Sequence, residues 1–361
     1  MSEAVALSDG RHDLARRLRR RALIAAGAAL GSLAAAVLAR AATGAPPLRV
    51  VFIAQDFRNS GVAAVYRSFQ EACGVLGWQF SADNGAGDAQ MLRELFAQAI
   101  GDGLDGVVLG GIDAADLADL VGGARSSRPV VVGWHATSSL RQVPLLFANV
   151  STELKTVAEM AIDMVVKTAP HRAGVVLIND DRFEFANVKT QRMREALAQH
   201  PTCALLAVQN VSISRAAREI PGLMATLQGR FGTRWTHVVA INDIYFESMT
   251  YPLNQLGRGD ILGIAAGDGS ASAMSRIATG RATQIATVAE PLGEQGWQLA
   301  DELVRGLTGR PPSGHVAEPI VVTTAFLHEH GLHSVDQAQA YREAYRKQWF
   351  SPLGDSPKLL R

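Results

Sequence analysis

The feature that most constrains the fold is a repeated alternation of short apolar runs with segments of helical spacing. The apolar runs include Arg49–Ala54, Gly106–Leu109 and Val130–Gly133, and each is bounded by glycine or polar residues. Between them, Asp88–Ile100 carries its apolar residues at the spacing of an amphipathic helix. Continuous apolar strands are typical of parallel sheets that helices cover on both faces. The first part of the chain is therefore predicted to be a parallel α/β unit.

The same pattern starts again in the second half of the chain. Gly174–Ile178, His237–Ala240 and Ile261–Ala265 are further apolar runs with helical segments between them. Two such series predict two doubly wound, Rossmann-like lobes with parallel sheets. Ligands of open α/β sheets bind beyond the carboxyl ends of the strands, so a cleft is expected between the lobes.

The N-terminal segment indicates export from the cytoplasm. A basic cluster at 16–21 precedes the uncharged stretch Ala22–Ala39, and Ala39-Arg40-Ala41 fits a cleavage signal. This order predicts a signal peptide at residues 1–41 and a periplasmic location. The 18-residue apolar run leaves an uncleaved membrane anchor as the alternative. Arg19-Arg20 partly resembles a twin-arginine signal, so the choice between that export route and the Sec route stays open.

Composition excludes several classes of function. Beyond residue 41 the chain keeps 28 Lys and Arg against 31 Asp and Glu, and this mildly acidic balance argues against nucleic-acid binding. Its two cysteines, Cys73 and Cys203, are predicted to be buried thiols rather than a disulfide. His328 and His330 are expected to be solvated at the end of a strand or in a loop. No metal site, cofactor motif or nucleophile–base pattern is recognised, so the chain is not expected to be an enzyme.

Four motifs occur in an order that matches one family. They are Asp105–Leu109 (DGVVL), Ala240–Asp243 (AIND), Ile264–Gly269 (IAAGDG) and Thr287–Trp297 (TVAEPLGEQGW). In these segments the chain resembles the type I periplasmic binding proteins, in particular the ribose-binding-like solute receptors of ABC sugar importers. The resemblance covers about Leu48–Phe326.

This resemblance implies a reversible clamp. Two lobes joined by a three-segment hinge would close around a small polar ligand, a sugar or related polyol. The protein would then be a monomer that delivers its ligand to the membrane subunits of an ABC importer. A periplasmic sensor that presents the ligand to a receptor or histidine kinase is the alternative.

The resemblance also sets the expected domain boundaries. Crossovers are predicted near Asn149–Ser151, Thr283–Thr287 and Ala317–Ile320, and Ala338–Trp349 is predicted to be an amphipathic helix. The resulting segments are 48–149 with 288–316 for the N-terminal lobe, 150–287 with 317–333 for the C-terminal lobe, and 334–361 for a C-terminal tail.

Polar and aromatic residues that follow strand ends are the predicted ligand contacts. Trp134-His135 stands where relatives often carry Asp-Arg, and Asn187 stands where many carry Arg. Trp134 would stack on the apolar face of a sugar while amides and carboxylates bind its hydroxyls. Helix capping by Asn242 or Asp243 and turn chemistry at Asp268 are the structural alternatives. The full predicted set is Asp56, Asn59, Trp134, His135, Asn187, Asn242, Asp243 and Asp268.

Two further loop positions carry a structural interpretation. Phe183 and Phe185 are expected either to close the cleft or to fill the end of a lobe. Glu290, at the expected hinge, is interpreted as a buried structural carboxylate.

Overall fold

The computed structural model describes residues 46–350, apart from 122–128, 139–142, 170, 332–334 and 336–338. The predicted signal peptide and the end of the predicted tail, residues 351–361, lie outside the described residues. Within Leu48–Gln339 the chain forms two sheets covered by helices, which confirms the predicted α/β architecture.

The first sheet has five parallel strands in the order β2-β1-β3-β4-β5. The strands are β1 (Arg49–Ala54), β2 (Gln79–Asn84), β3 (Gly106–Gly110), β4 (Val130–Trp134) and β5 (Ala148–Val150). Helices α1 (Ser60–Leu76) and α2 (Ala89–Gly101) connect its first strands. The segment after β3 contains a 3₁₀ helix at Ala114–Val121. The short strand β5 was not predicted.

The second sheet has six strands in the order β11-β10-β9-β8-β6-β7. All pairings are parallel except that of β11, which runs antiparallel to β10. The strands are β6 (Ala173–Asn179), β7 (Cys203–Asn210), β8 (His237–Ala240), β9 (Leu262–Ala265), β10 (Gln284–Ala289) and β11 (Ile320–Thr323). The helices of this part of the chain are α3 (Leu154–Thr168), α4 (Glu184–Ala198), α5 (Ala216–Phe231), α6 (Thr250–Gln255), α7 (Ala271–Ala278), α8 (Leu292–Leu307) and α9 (Thr324–His330).

Burial explains why the continuous apolar runs became central strands. Every residue of β3 and of β6 is buried, because helices cover both faces of these strands. The edge strands β2 and β7 contain exposed positions instead. The core of the second sheet is built on Val176, Leu177 and Val239, and that of the first on Ile53, Val107 and Leu109.

Helix α8 brings the chain back from the second sheet to the first. It packs against α1, and a Cβ on Gly296 would lie only 2.7 Å from the backbone oxygen of Val65. Thr283–Thr287 was predicted as a crossover, but these residues lie in or next to β10, which continues to Ala289 in the second sheet. The chain leaves that sheet only at Glu290–Pro291, because the pairing of β10 with β11 extends to Ala289.

One local prediction is corrected, and two short helical segments are added to the predicted elements. The chain after β8 forms a 3₁₀ helix at Asp243–Ser248 followed by α6, because Pro252 has no N–H to continue an upstream α-helical ladder. His328 and His330 are exposed as expected but lie in α9, not at a strand end or in a loop. The short helix α7 was not predicted.

Two other predictions hold with small changes. Both cysteines are free thiols; Cys73 is buried, whereas Cys203 is only partly buried at the start of the edge strand β7. The predicted C-terminal helix is present as α10 (Gln339–Phe350).

Candidate functional site

A cleft lies at the carboxyl ends of the strands of both sheets. It encloses about 550 Å³ of empty space, part of which is open to solvent. Its polar lining residues follow β1, β4, β8 and β9 or come from the first turns of α4. They are Gln55, Asn59, His135, Lys189, Asn242 and Asp268, and aromatic lining comes from Trp134, Phe183 and Phe185.

Asn59 serves two purposes at the start of α1. Its Oδ1 accepts a hydrogen bond from the backbone N–H of Gly61 at 2.9 Å, so it is the N-cap of this helix. The same side chain lines the cleft, where its Nδ2 group can donate to a ligand. Capping and ligand contact are therefore compatible at this position.

Trp134 ends β4, His135 follows it, and both line the cleft. The two rings stack with centroids 4.0 Å apart, and on its other face His135 stacks on Phe185 at 4.1 Å. Trp134 Nε1 donates to Gln295 Oε1 at 2.8 Å. His135 has a φ of 51°, in the left-handed region that few non-glycine residues adopt.

Glu290 forms a hydrogen bond with the imidazole of His135. Its Oε2 accepts from His135 Nε2 and from Gln295 Nε2, both at 2.9 Å, and its side chain is fully buried. Burial lowers the pKa of His135 against the opposing influence of Glu290, so the imidazole is neutral and donates from Nε2. Burial alone would raise the pKa of Glu290, but its interactions with His135, Lys189 and Gln295 outweigh that effect and lower the pKa to about 2.

Lys189 is the most unusual residue of the cleft. It is 2% exposed, and its Nζ donates to the carbonyl oxygens of Ala266 at 2.7 Å and Ile241 at 3.4 Å. It also lies 4.8 Å from the ring centroid of Phe185. Burial lowers the pKa of Lys189, although the nearby carboxyl groups of Glu290, Asp268 and Asp243 oppose this shift. An ammonium that donates to two carbonyl oxygens can still donate one hydrogen bond into the cleft.

Asp268 faces Lys189 and the start of α1. Its Oδ2 accepts from Asn242 Nδ2 at 2.5 Å, while a Cβ on Gly61 would lie 2.4 Å from the same oxygen. Only a glycine at position 61 allows this approach between the two lobes. Burial, together with the nearby Asp243, raises the pKa of Asp268 to about 8, so this carboxyl group is mostly protonated at neutral pH.

Asn242 also combines two tasks. Its Oδ1 accepts from the backbone N–H of Ile244 at 2.9 Å and caps the 3₁₀ helix that follows β8. Its Nδ2 keeps one hydrogen for the cleft beside the one given to Asp268. The predicted choice between cap and cleft residue is thus not exclusive.

Three of the predicted contacts do not line the cleft. Asp56 is buried and binds Arg58, whose Nη2 lies 2.6 Å from its Oδ2. Asn187 is exposed on α4, and its Nδ2 donates to the backbone oxygen of Asp181. Asp243 is fully buried, and its carboxylate accepts from Gln284 Nε2 at 2.6 Å and from the backbone N–H of Gly269 at 2.7 Å. Each of these side chains is therefore occupied by hydrogen bonds or ion pairs with neighbouring residues of its own lobe.

Lys189 and Gln55 are cleft residues that the sequence analysis missed. The available signal for Lys189 was its place on the buried face of α4, between Phe185 and Met193 at helical spacing. A lysine in such a stripe is unusual, because burying a charge is unfavourable unless it has a function or a partner. Gln55 directly follows β1 and carried no separate signal.

One contact between the lobes also lies beside the cleft. Asp113, in the loop after β3, accepts a hydrogen bond from the backbone N–H of Glu184 at 2.8 Å. Helix α4 has no side-chain cap from its own N-cap residue, Phe183, so Asp113 provides that cap from the first lobe. Burial raises the pKa of Asp113 to about 6.

Two negative findings apply to the described residues only. Among them no group of His, Cys, Asp and Glu is arranged to hold a metal ion. In the same residues no helix is both long and apolar enough to cross a bilayer.

Comparison with known proteins establishes the family. Residues 50–311 match the model of the periplasmic binding protein domain, so the chain belongs to that family. Membership in a family of binding proteins confirms the predicted class and the expectation of a binding protein rather than an enzyme, and it implies a location outside the cytoplasm. No curated protein matches the chain by sequence.

Solved structures share the fold at low sequence identity. A sugar ABC transporter protein from Yersinia enterocolitica superposes with a TM-score of 0.72 at 12% identity, covering 85% of this chain and 96% of that one. A solute-binding protein from Bacillus halodurans with bound myo-inositol gives 0.67 at 15%, covering 79% and 97%. One from Mycobacterium smegmatis with bound glycerol gives 0.69 at 16%, with the same coverage.

Proposed function

We propose that this protein is an extracytoplasmic solute receptor that captures a sugar or related polyol in the cleft between its lobes. The observation that carries the proposal is the placement of hydrogen-bonding groups from both lobes on one cleft. Asn59 comes from the first lobe, whereas Lys189, Asn242 and Asp268 come from the second. Each retains capacity for a further hydrogen bond, which suits a ligand with several hydroxyl groups.

Closure of the lobes follows from this arrangement. A ligand that binds groups on both lobes stabilises the arrangement in which those groups converge. The cap that Asp113 provides to α4, and the close approach of Asp268 to Gly61, are contacts available only when the lobes are together. We therefore propose that ligand binding and lobe closure are coupled.

The partner we propose is the membrane complex of an ABC importer. Supporting this, relatives of the same fold are described as ABC transporter proteins. A cleaved signal peptide at residues 1–41 would deliver the receptor to the periplasm as a monomer, and N-terminal sequencing of exported protein would test for a start near Ala42.

Ligand binding is tested first. A thermal-shift screen with glycerol, erythritol, xylitol, ribose, glucose and myo-inositol should find at least one that raises the melting temperature, followed by calorimetry. Asn242→Ala should weaken binding of that ligand about tenfold to hundredfold, because a buried hydrogen bond is lost. Asn187→Ala is the matched control, since Asn187 lies on the same lobe outside the cleft. Equal affinities in the two variants, or no stabilising compound, would contradict the proposal.

Transport is tested in cells. Deletion of the gene should abolish uptake of the radiolabelled ligand, and the wild-type gene should restore it. If uptake continues and only a ligand-dependent transcriptional response is lost, the protein is a sensor subunit and the importer part of the proposal is wrong.

A further inference from the structure

We propose that His135 determines which ligands fit, by filling the aromatic slot between Trp134 and Phe185 with its own ring. On this view the cleft accepts short open-chain polyols and rejects ring sugars and cyclitols. The inference rests on the proposed function and specifies the ligand class of that same site.

The three rings form one continuous stack. The imidazole plane is inclined by 13° to Trp134 and by 17° to Phe185, with centroid distances of 4.0 and 4.1 Å. Two rings parallel to a third at such distances must lie on its opposite faces, because they would overlap on the same face. Trp134 is the last residue of β4 and Phe185 lies on α4, so His135 is held between aromatic rings from both lobes.

Facing aromatic rings are the surfaces on which a sugar ring would stack. Aromatic faces bind flat apolar surfaces, including the C–H faces of cyclic sugars. Here the space between them is one ring thick, and His135 occupies it. A pyranose or cyclitol could stack there only after the imidazole had moved out.

The surroundings of His135 oppose that movement. Trp134 donates to Gln295, Gln295 donates to Glu290, and Glu290 accepts from His135, so four side chains form one hydrogen-bonded chain around the slot. Displacing the imidazole would remove one of the two hydrogen bonds to a fully buried carboxylate. Its Oε1 already has no hydrogen-bond partner among the described residues. Leaving a buried ionised group further underbonded is strongly unfavourable.

The backbone of His135 points to the same role. Its φ of 51° is a strained conformation for a residue with a Cβ. Strain of this kind persists where the surrounding structure fixes a side chain in one position. Here it directs the imidazole into the stack.

The groups that stay available suit a small flexible polyol. Lys189, Asn59 and Asn242 can each donate one hydrogen bond, and Asp268 offers its second oxygen. Hydroxyl groups on a short chain can rotate to meet these donors and acceptors individually. No aromatic face is needed for such a ligand.

Calorimetry on the wild type and on His135→Gly tests the inference. Glycine adopts the required φ without strain and empties the slot. We expect the wild type to bind the best of glycerol, erythritol and xylitol at least tenfold more tightly than the best of ribose, glucose and myo-inositol. His135→Gly should lose that preference by at least tenfold, through tighter binding of the ring compounds. His328→Ala, a change at an exposed histidine of α9, should keep the wild-type preference.

Each other outcome has a defined meaning. A wild type that prefers a ring compound overturns the inference and leaves the proposed function intact, whereas binding of no compound rejects the proposed function and the inference with it. A folded His135→Gly variant with unchanged preference also overturns it. If that variant does not fold, His135→Asn is the second test, because asparagine tolerates the same φ, can still donate to Glu290 and has no ring to fill the slot. It should shift the preference in the same direction, and a folded His135→Asn with unchanged preference counts against the inference.

Discussion

The wall of the cleft that follows the first sheet carries amide and ring side chains, whereas the wall that follows the second sheet adds the amino group of Lys189 and the carboxyl group of Asp268. Asn59, Trp134 and His135 form the first wall, and His135 stays neutral because burial lowers its pKa. Lys189 and Asp268 form the second, and burial shifts the pKa of both toward the uncharged form. On our proposal the first wall selects ligands by shape and stacking, and the second supplies the strongest polar contacts. Substitutions on the two walls should therefore have different signatures.

The largest effect is expected at Lys189 on the second wall. Lys189→Met should weaken binding of the best polyol by about 100-fold, since it removes a buried charged donor whose hydrogen bond is worth roughly 1.5–3 kcal/mol. Calorimetry measures the change. Lys155→Met, at an exposed lysine of α3, is the control and should bind as the wild type does. An affinity within threefold of the wild type in Lys189→Met would show that the second wall does not dominate binding.

The next effect concerns the pH dependence of stability at Asp268. Its pKa rises from an ordinary 3.8 to about 8 on folding, so the folded state holds a proton that the unfolded state releases. The protonated carboxyl group of Asp268 therefore contributes fully to the free energy of unfolding below about pH 4. This contribution is lost progressively as the pH rises from about 4 to about 8. Asp268→Asn should remove this decline, at most about 1.4 kcal/mol per pH unit, because the amide does not titrate.

Chemical denaturation at a series of pH values between 4 and 9 measures that difference. Asp163→Asn, at an exposed carboxylate of α3, should leave the wild-type slope unchanged. If the free energy of unfolding depends on pH in the same way in the wild type and in Asp268→Asn, Asp268 is ionised in the folded protein. The difference between the two walls of the cleft would then be smaller than we infer.

The smallest effect is expected at Asp113, beside the first wall. Asp113→Ala removes the hydrogen bond that caps α4 from the other lobe, so it should weaken closure without touching a ligand. One net hydrogen bond of about 0.5–1.5 kcal/mol corresponds to a two- to tenfold loss of polyol affinity. Calorimetry beside an Asp116→Ala control would detect it. A loss as large as that of Lys189→Met would mean that closure, not direct contact, controls affinity.

The sequence by itself determined the architecture. Continuous apolar runs have no exposed face, so they require a sheet covered on both sides, and their repetition in two series required two lobes. The carboxyl ends of those strands then located the cleft before any contact was known. Asn59, Trp134, His135, Asn242 and Asp268 were all found by this rule, and each lines the cleft.

Only the tertiary structure decided which polar residue of a loop faces the cleft. Asn242 lines the cleft. Asp243 directly follows it in the sequence, yet its carboxylate does not, because it accepts hydrogen bonds from Gln284 and from the backbone N–H of Gly269. Lys189 lies in the site because α4 packs against the carboxyl ends of β8 and β9. There its Nζ donates to the carbonyl oxygens of Ile241 and Ala266. The periodicity of the apolar residues is a local property of the chain, so it could be recognised in the sequence alone. The direction of a loop side chain depends on hydrogen bonds to residues distant in sequence, and those partners exist only after the lobes have folded.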